Sequence, residues 1–359
     1  MRIYVETYAV RNPYVGVGEF CMNLGHYLAK HAELLRNQYG ITLHFIVPRG
    51  HKGIFGNQVA YLELPRFCKP FMRLFPWRID LLHLTHQYCP FNNFLGVKNE
   101  LLTIHDINFM YEKKGKKLLK YKRRLNTRIK AATHINYISK FTKTDVEKYF
   151  DVNKETRVIY NGVKQLVPAT EYAHTFLSQL PAQPFLFHIS SLRPKKNIHL
   201  LIEMMRYLPN ETLVIAGNWD GNYGTQLKNR IKELELKNVV CLNNVSNDEK
   251  AYLYQQCKAF LFPSACEGFG LPPIEAMHFG KPVFLSNLTS LPEVGGTAAF
   301  YWTDLNPEPM ADLVRQQLSS VQTLATLEDA LKNRATSFDW EKCATEYIKY
   351  YLDILGINR

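Results

Sequence analysis

The chain has 359 residues, 46% apolar and 21% charged, a balance that excludes intrinsic disorder and a length that suits two domains of roughly 150–200 residues rather than one core. Its net charge of +12 is lopsided: residues 1–164 hold 27 Lys and Arg against 12 Asp and Glu (+15), the remainder 17 against 20 (−3), which points to a partner surface on the N-terminal half. Seven scattered cysteines, odd in number and without CxxC pairs, argue against a disulfide framework or a zinc site, and neither a signal-peptide core nor an apolar run of 18 residues occurs; a cytoplasmic protein with reduced thiols is expected.

Arg2 to Glu6 reads as the first strand of an α/β domain. It is followed by Gly16-Val-Gly18 and an amphipathic helix to about Lys30. A glycine pair between strand and helix lets backbone approach a phosphate closely. A nicotinamide-cofactor fingerprint is excluded, because Cys21 occupies the place of the third glycine and the loop is too long. Leu43–Val47, Leu81–Thr85, Leu101–Asp106, His134–Ser139 and Arg157–Val163 carry further strands. His105 and Asp106 fall at a strand's carboxyl end, where open parallel sheets bind ligands. Ser139 suits the cap of the next helix.

Two basic stretches lie between these strands. Residues 65–78 interleave aromatics, cations and three prolines, a composition that fits either an interfacial segment or a partly buried connection. Residues 112–130 hold ten cations (Lys113, Lys114, Lys116, Lys117, Lys120, Lys122, Arg123, Arg124, Arg128 and Lys130) against Glu112 alone, with Leu118, Leu119, Tyr121 and Leu125 as an incomplete apolar face. Polybasic surfaces gain about 1 kcal/mol per Lys or Arg near anionic lipid, so 112–130, with 65–78 as a second candidate, is read as facing an anionic membrane. No nucleic acid is expected, since no DNA- or RNA-binding motif is present.

Residues 165–183 read as a linker. A second α/β domain then starts at Pro184, with strands at 184–190, 213–217, 239–242, 259–262 and 282–286. Arg193, Lys195 and Lys196 lie after its first strand and before a helix, a pyrophosphate site on electrostatic grounds. Gly217 ends the second strand, and Asn247 and Asp248 are ordinary capping choices. A final amphipathic helix opens at Phe338-Asp-Trp-Glu341.

The densest stretch is 263–277, Pro-Ser-Ala-Cys-Glu-Gly-Phe-Gly-Leu-Pro-Pro-Ile-Glu-Ala-Met. A buried strand ends at Pro263, a glycine turn follows, and Pro272-Pro273 starts a helix. Backbone N–H groups of such a turn form an anion cradle. Glu267 and Glu275 stand at its rim, eight residues apart. A ligand with phosphate at one end and hydroxyls at the other, such as a sugar nucleotide, suits that set.

This run resembles the signature of family 4 of the retaining glycosyltransferases, two glutamates separated by seven residues. So do Gly280-Lys-Pro-Val283, Leu291-Pro-Glu-Val294, the Asn161-Gly-Val163 segment and the Pro194-Lys-Lys-Asn197 loop. The resemblance implies an α/β protein of GT-B fold: two Rossmann-like domains facing a central cleft, an N-terminal acceptor-side domain (1–164), a linker (165–183), a nucleotide-sugar domain (184–338), and a helix (339–359) crossing back to the first. Similarity around Ile-His105-Asp-Ile and Lys-Asn-Ile extends to O-antigen and lipopolysaccharide mannosyltransferases. Two departures are visible. Lys164 replaces the acid that often follows Asn-Gly-Val, and Ser191 stands where many relatives carry the arginine for which Arg193 could substitute.

By the same resemblance Lys196 and Arg193 take the donor diphosphate, Glu267 and His105 the donor sugar, and Glu275 the ribose. Gly16, Gly18, Gly217, Gly268, Phe269, Gly270 and Leu271 border the nucleotide sugar. No Asp-x-Asp triplet occurs, so neither a metal nor a cofactor is expected. The implied activity is retaining transfer of a hexosyl group, mannose from GDP-mannose as first choice, to a glycan or lipid-linked acceptor of bacterial surface polysaccharide synthesis at the inner face of the cytoplasmic membrane. Two alternatives stay open: a GT-B sugar-phosphate synthase or phosphorylase with a soluble acceptor, and a non-catalytic basic binding protein.

Overall fold

A computed structural model describes the chain except residues 13–15, 66, 69–75, 92–93 and 358–359, and except the side chains of 76 and 321–325. It divides into two compact units: Met1–Gly162 with Asp339–Arg359, and Val163–Phe338.

The strands of the first unit are β1 (Arg2–Glu6), β2 (Thr42–Val47), β3 (Ala60–Glu63), β4 (Pro76–Leu84), β5 (Leu95–Ile104), β6 (His134–Tyr137) and β7 (Thr156–Val158). They form one sheet in the order β3-β2-β1-β4-β5-β6-β7, every neighbouring pair parallel. The second unit holds β8 (Leu186–Ile189), β9 (Leu213–Ala216), β10 (Val239–Leu242), β11 (Ala259–Phe262), β12 (Val283–Ser286) and β13 (Phe300–Trp302) in the order β10-β9-β8-β11-β12-β13, again parallel throughout. Parallel strands are covered on both faces and so read as unbroken apolar runs. Leu213–Ala216, Ala259–Phe262 and Val283–Ser286 are buried at every position. In each sheet the strand order reverses at one place, β1/β4 in the first unit and β8/β11 in the second. Crevices for ligands open there, beyond the carboxyl ends of the strands.

Several sequence expectations are corrected. The region 165–183 is part of the second unit rather than a bare linker: the short helix His174–Leu177 buries Phe176, whose ring meets Tyr172 and Tyr252. Two strands, β3 and β13, were not anticipated, although the apolar runs Val59–Leu62 and Ala298–Trp302 accompany them; each is a short, partly buried strand at a sheet edge. The cap of helix Asn247–Gln256 is Ser246, not Asn247 or Asp248. It forms a reciprocal capping box with Glu249, which satisfies two end donors at once. Ser139 does cap Lys140–Tyr149, accepting from Thr142 N at 3.0 Å.

The final helix, Trp340–Ile354, completes the first unit. Asp339 caps it, and Trp340, Tyr347, Tyr350 and Tyr351 are buried. Tyr351 Oη and His83 Nδ1 are 2.6 Å apart, and Asn136 Nδ2 donates to Tyr347 Oη at 2.7 Å. Each ring contributes roughly 1.5–3 kcal/mol by burial, and each hydroxyl finds the partner that a buried tyrosine needs.

Candidate active site

The loops after β8 and β11 meet at the reversal point of the second sheet. After β8 the chain runs through the 3-10 turn Pro194–Lys196 into Asn197, whose φ of 54° ends that turn. Asn197 Nδ2 donates to Pro263 O at 3.0 Å, and Ala265 N to Lys195 O at 2.8 Å. These bonds tie the two loops together and aim Lys196 across them. Its ammonium forms a short ion pair with Glu267 Oε1, and its Nζ also lies 5.0 Å from the Phe262 ring centroid. The two paired side chains are only 11% and 13% exposed. Arg193 is exposed and has no partner among the described residues. One cation of this segment, Lys196, is thus paired with Glu267, and the other, Arg193, is exposed.

The Glu267–Gly270 loop is fixed from below. Ser290 Oγ donates to Phe269 O at 2.6 Å and stands 3.2 Å from Glu267 O, while Glu267 N donates to Thr289 Oγ1 at 3.2 Å. Phe269 is buried edge-on against Phe338. Gly270 has φ of +124°, which side-chain-bearing residues rarely adopt. It leads into helix Leu271–His278. Here the expected cradle is thinner than the motif suggests. Pro272 and Pro273 have no N–H, so the helix's first turn keeps amide donors only at Leu271 and Ile274, and an anion cradle here is limited to the turn and Leu271. Gly268 is buried and Leu271 half-buried. Gly217 is where β9 passes β8's loop: an added Cβ would stand 2.6 Å from Ser190 O.

Glu275, on the second turn of that helix, is buried and fully engaged. Lys250 Nζ donates to its Oε1 at 2.7 Å and Tyr254 Oη to its Oε2 at 2.8 Å. Lys250 and Tyr254 are spaced i,i+4 and so share one face of the Asn247–Gln256 helix. Each carboxylate oxygen retains a second lone pair, available to a ligand hydroxyl. Neither partner was anticipated, since nothing local in the sequence links 250 or 254 to 275. His188 also escaped notice. It is buried between Leu261 O (2.7 Å) and Ser190 Oγ (2.8 Å), and burial depresses its pKa to about 4, so it is a neutral spacer beneath the loop.

In the first unit His105 follows β5. Its backbone N donates to Gln87 Oε1 at 3.2 Å, and its Nε2 lies 2.9 Å from Thr85 O, a carbonyl that can only accept. Nε2 therefore carries the proton and Nδ1 the lone pair. Burial lowers its pKa to about 4, partly offset by the Thr85 carbonyl. Phe20 packs edge-on at 4.7 Å. Gly18 of helix Gly16–Lys30 is needed for packing, because a Cβ there would stand 2.0 Å from Asn12 O; Gly16 is exposed with open space around it. Residues 13–15 of the loop between β1 and this helix lie outside the described residues, as do 66 and 69–75 of the proposed interfacial stretch 65–78.

The basic stretch forms helix Gly115–Ala131. Lys116, Lys117, Lys120, Arg123, Arg124 and Lys130 are exposed, and Leu119, 63% exposed, stands out among them. Arg128 departs from the expectation of a solvent-facing cation. It is buried and donates to Cys89 O at 2.8 Å. No helix among the described residues is long and apolar enough to cross a membrane.

Comparison with known proteins follows the same division. Residues 15–165 match the family described as Glycosyltransferase Family 4, and residues 177–335 the family described as Glycosyl transferases group 1. The chain is 26% identical to O-antigen chain mannosyltransferase B of Escherichia coli, over 98% of this chain and 99% of that one. It is 28% identical to O-antigen chain mannosyltransferase RfbU of Salmonella typhimurium, over 73% and 70%. Among solved structures it superposes on sucrose-phosphate synthase from Thermosynechococcus elongatus with a TM-score of 0.78 at 17% identity, over 99% of each chain. On HepE from Anabaena in complex with UDP and glucose the TM-score is 0.70 at 17% identity, over 98% and 100%. At such identities the likeness shows the fold, GT-B.

Proposed function

We propose that this chain, which belongs to the family 4 glycosyltransferases of GT-B fold, moves a mannosyl group from GDP-mannose to a membrane-associated glycan or lipid-linked acceptor, with retention of configuration and without a metal at the donor diphosphate. The Lys196–Glu267 contact carries this reading, because it joins the loops after β8 and β11 at the sheet's ligand crevice. A diphosphate arriving there competes for Lys196 and recruits Arg193. Glu267, released in part from its partner, then accepts from sugar hydroxyls. Glu275, oriented by Lys250 and Tyr254, accepts from the ribose. His105 is assigned to the transferred sugar as a neutral acceptor through Nδ1.

In the reaction the bond from the anomeric carbon to the diphosphate oxygen breaks while the acceptor oxygen bonds to that carbon on the same face. The acceptor's proton passes to the departing diphosphate oxygen. Lys196, Arg193 and the loop amides neutralise the charge that gathers on the leaving group, and preorganised electrostatics of this kind are usually the largest catalytic effect. No protein nucleophile is required.

Mannose is favoured because both O-antigen relatives are named mannosyltransferases. A membrane-borne acceptor is favoured by the exposed cations of helix Gly115–Ala131. A surface groove of about 400 Å³ beside it, lined by Leu119, Tyr149 and Phe150 with Lys122 and Arg123, adds apolar contact next to charge. The test is the melting midpoint of the purified protein with GDP-mannose, GDP, UDP-glucose and UDP, with and without added Mg²⁺. A ligand at 100 times its dissociation constant adds about 2.7 kcal/mol. The expected result is a rise with the guanine nucleotides that Mg²⁺ does not enlarge. A rise confined to the uridine nucleotides would overturn the donor assignment, and dependence on Mg²⁺ would overturn the metal-free site.

A further inference from the structure

We propose that the crevice between the ends of β1 and β4 binds one divalent cation of zinc type through Glu6, His86 and Cys89. The scattered cysteines argue against a zinc site along the sequence, yet folding gathers these three: one ligand atom from each lies within 4.8 Å of the others. Glu6 is the last residue of β1, and His86 and Cys89 follow β4. The first sheet reverses its strand order at this point, as the second does at Lys196 and Glu267, so the cluster occupies a place where such sheets bind ligands.

Glu6 supplies the second, independent observation. It is 0% exposed, and neither carboxylate oxygen has a hydrogen-bond partner of normal geometry among the described residues, although the Cys89 thiol and the Tyr8 backbone N–H lie close enough to favour its ionised form. An unpaired buried carboxylate is among the costliest groups a fold can carry, and such charges are paired or coordinate metals. Thiolate, imidazole and carboxylate together form a zinc-type donor set.

The surroundings prepare each ligand. His86 N donates to Cys89 Sγ at 3.4 Å, a bond that favours the thiolate. Tyr88 N donates to His86 Nδ1 at 3.1 Å, so the ring already has a lone pair there; a metal would take it in place of that amide. The ion's two charges balance the two anionic ligands, with Arg128, bonded to Cys89 O, left as a neighbouring cation. Ligand atoms on one tetrahedral zinc sit about 3.3–3.8 Å apart, so closure needs a movement of about 1 Å by these side chains. Three protein ligands leave a fourth position open. The same loop carries Thr85 and Gln87, two of the residues that hold His105, so the ion would clamp the support of that histidine without touching the donor diphosphate.

The test uses the untagged full chain, stripped with a chelator and titrated with Co²⁺, then with Zn²⁺. One equivalent of Co²⁺ is expected to give the near-ultraviolet thiolate-to-cobalt band and the strong visible absorption of tetrahedral cobalt. Zn²⁺ should abolish both and raise the melting midpoint. Cys89→Ser should remove the band, and His86→Ala, whose folding is checked by its melting transition, should weaken affinity at least tenfold. No band in the wild type overturns the proposal, and so does a band that either variant leaves unchanged. Neither outcome bears on nucleotide-sugar binding, which is read separately.

Discussion

Replacing Lys196 by alanine separates charge neutralisation from stability in a way the geometry makes calculable. The partner carboxylate, Glu267, is left in a pocket where its side chain is only 13% exposed. Removing one member of a buried pair costs about 3–5 kcal/mol, whereas an exposed pair contributes about 0–1 kcal/mol. With some of each side chain still wet, the expected loss is about 2–3 kcal/mol. For a unit of this size that lowers the midpoint by roughly 4–12 °C. Turnover should fall by about 10²–10³, the usual effect of removing one group that stabilises developing charge. Adding Glu267→Ala removes the stranded carboxylate, so the double variant should regain stability through a coupling of about 1–3 kcal/mol while turnover stays low. Calorimetric midpoints and single-turnover transfer from GDP-mannose read the two effects on the same preparations. Turnover within a few-fold of wild type in Lys196→Ala would refute the diphosphate role, and strictly additive midpoints would refute the coupling.

Glu275→Ala should abolish the nucleotide-induced midpoint rise and, by leaving Lys250 and Tyr254 without their acceptor, cost about 1–3 kcal/mol in the unliganded protein; calorimetry with and without GDP checks both. Burial raises Glu100 from 4.5 to about 7, with Arg128 and Lys154 opposing. The folded state therefore holds this proton where the unfolded state has lost it, so stability is greatest below about pH 4.5 and falls as pH rises toward 7, by up to about 3 kcal/mol. Urea midpoints across that range should slope downward from this group, and Glu100→Gln should flatten the slope. His105, lowered to about 4, should contribute no ionisation to kcat/KM between about pH 6 and 8; a limb in that window lost in His105→Asn would contradict the neutral acceptor. Charge reversal at Lys116, Lys117, Lys120 and Arg123 should cut partition onto anionic vesicles by at least 10²-fold, at about 1 kcal/mol per cation, with nucleotide binding unchanged; sedimentation with vesicles reads it.

The sequence alone determined what depends on local order. Apolar runs marked most strands because parallel sheets bury both faces. The Glu267 to Glu275 spacing with its glycines and prolines marked the loop and helix of the candidate site, and the cation excess marked a helix with many exposed cations. What only the tertiary structure decided are the partnerships between distant segments. Lys196 meets Glu267 because β8 and β11 are neighbours, and Glu275 is held by Lys250 and Tyr254 from another helix. Arg128 is turned inward although the residues flanking it read as one exposed charge run. The edge strands β3 and β13 carry apolar runs too, but whether such a short run pairs as a strand was set by its neighbour in the sheet, and the pairing of Glu6 with His86 and Cys89 spans some eighty residues. Periodicity records which face of an element is buried; it carries no information about which buried face, charge or thiol it will meet, because strand order in the sheet sets that.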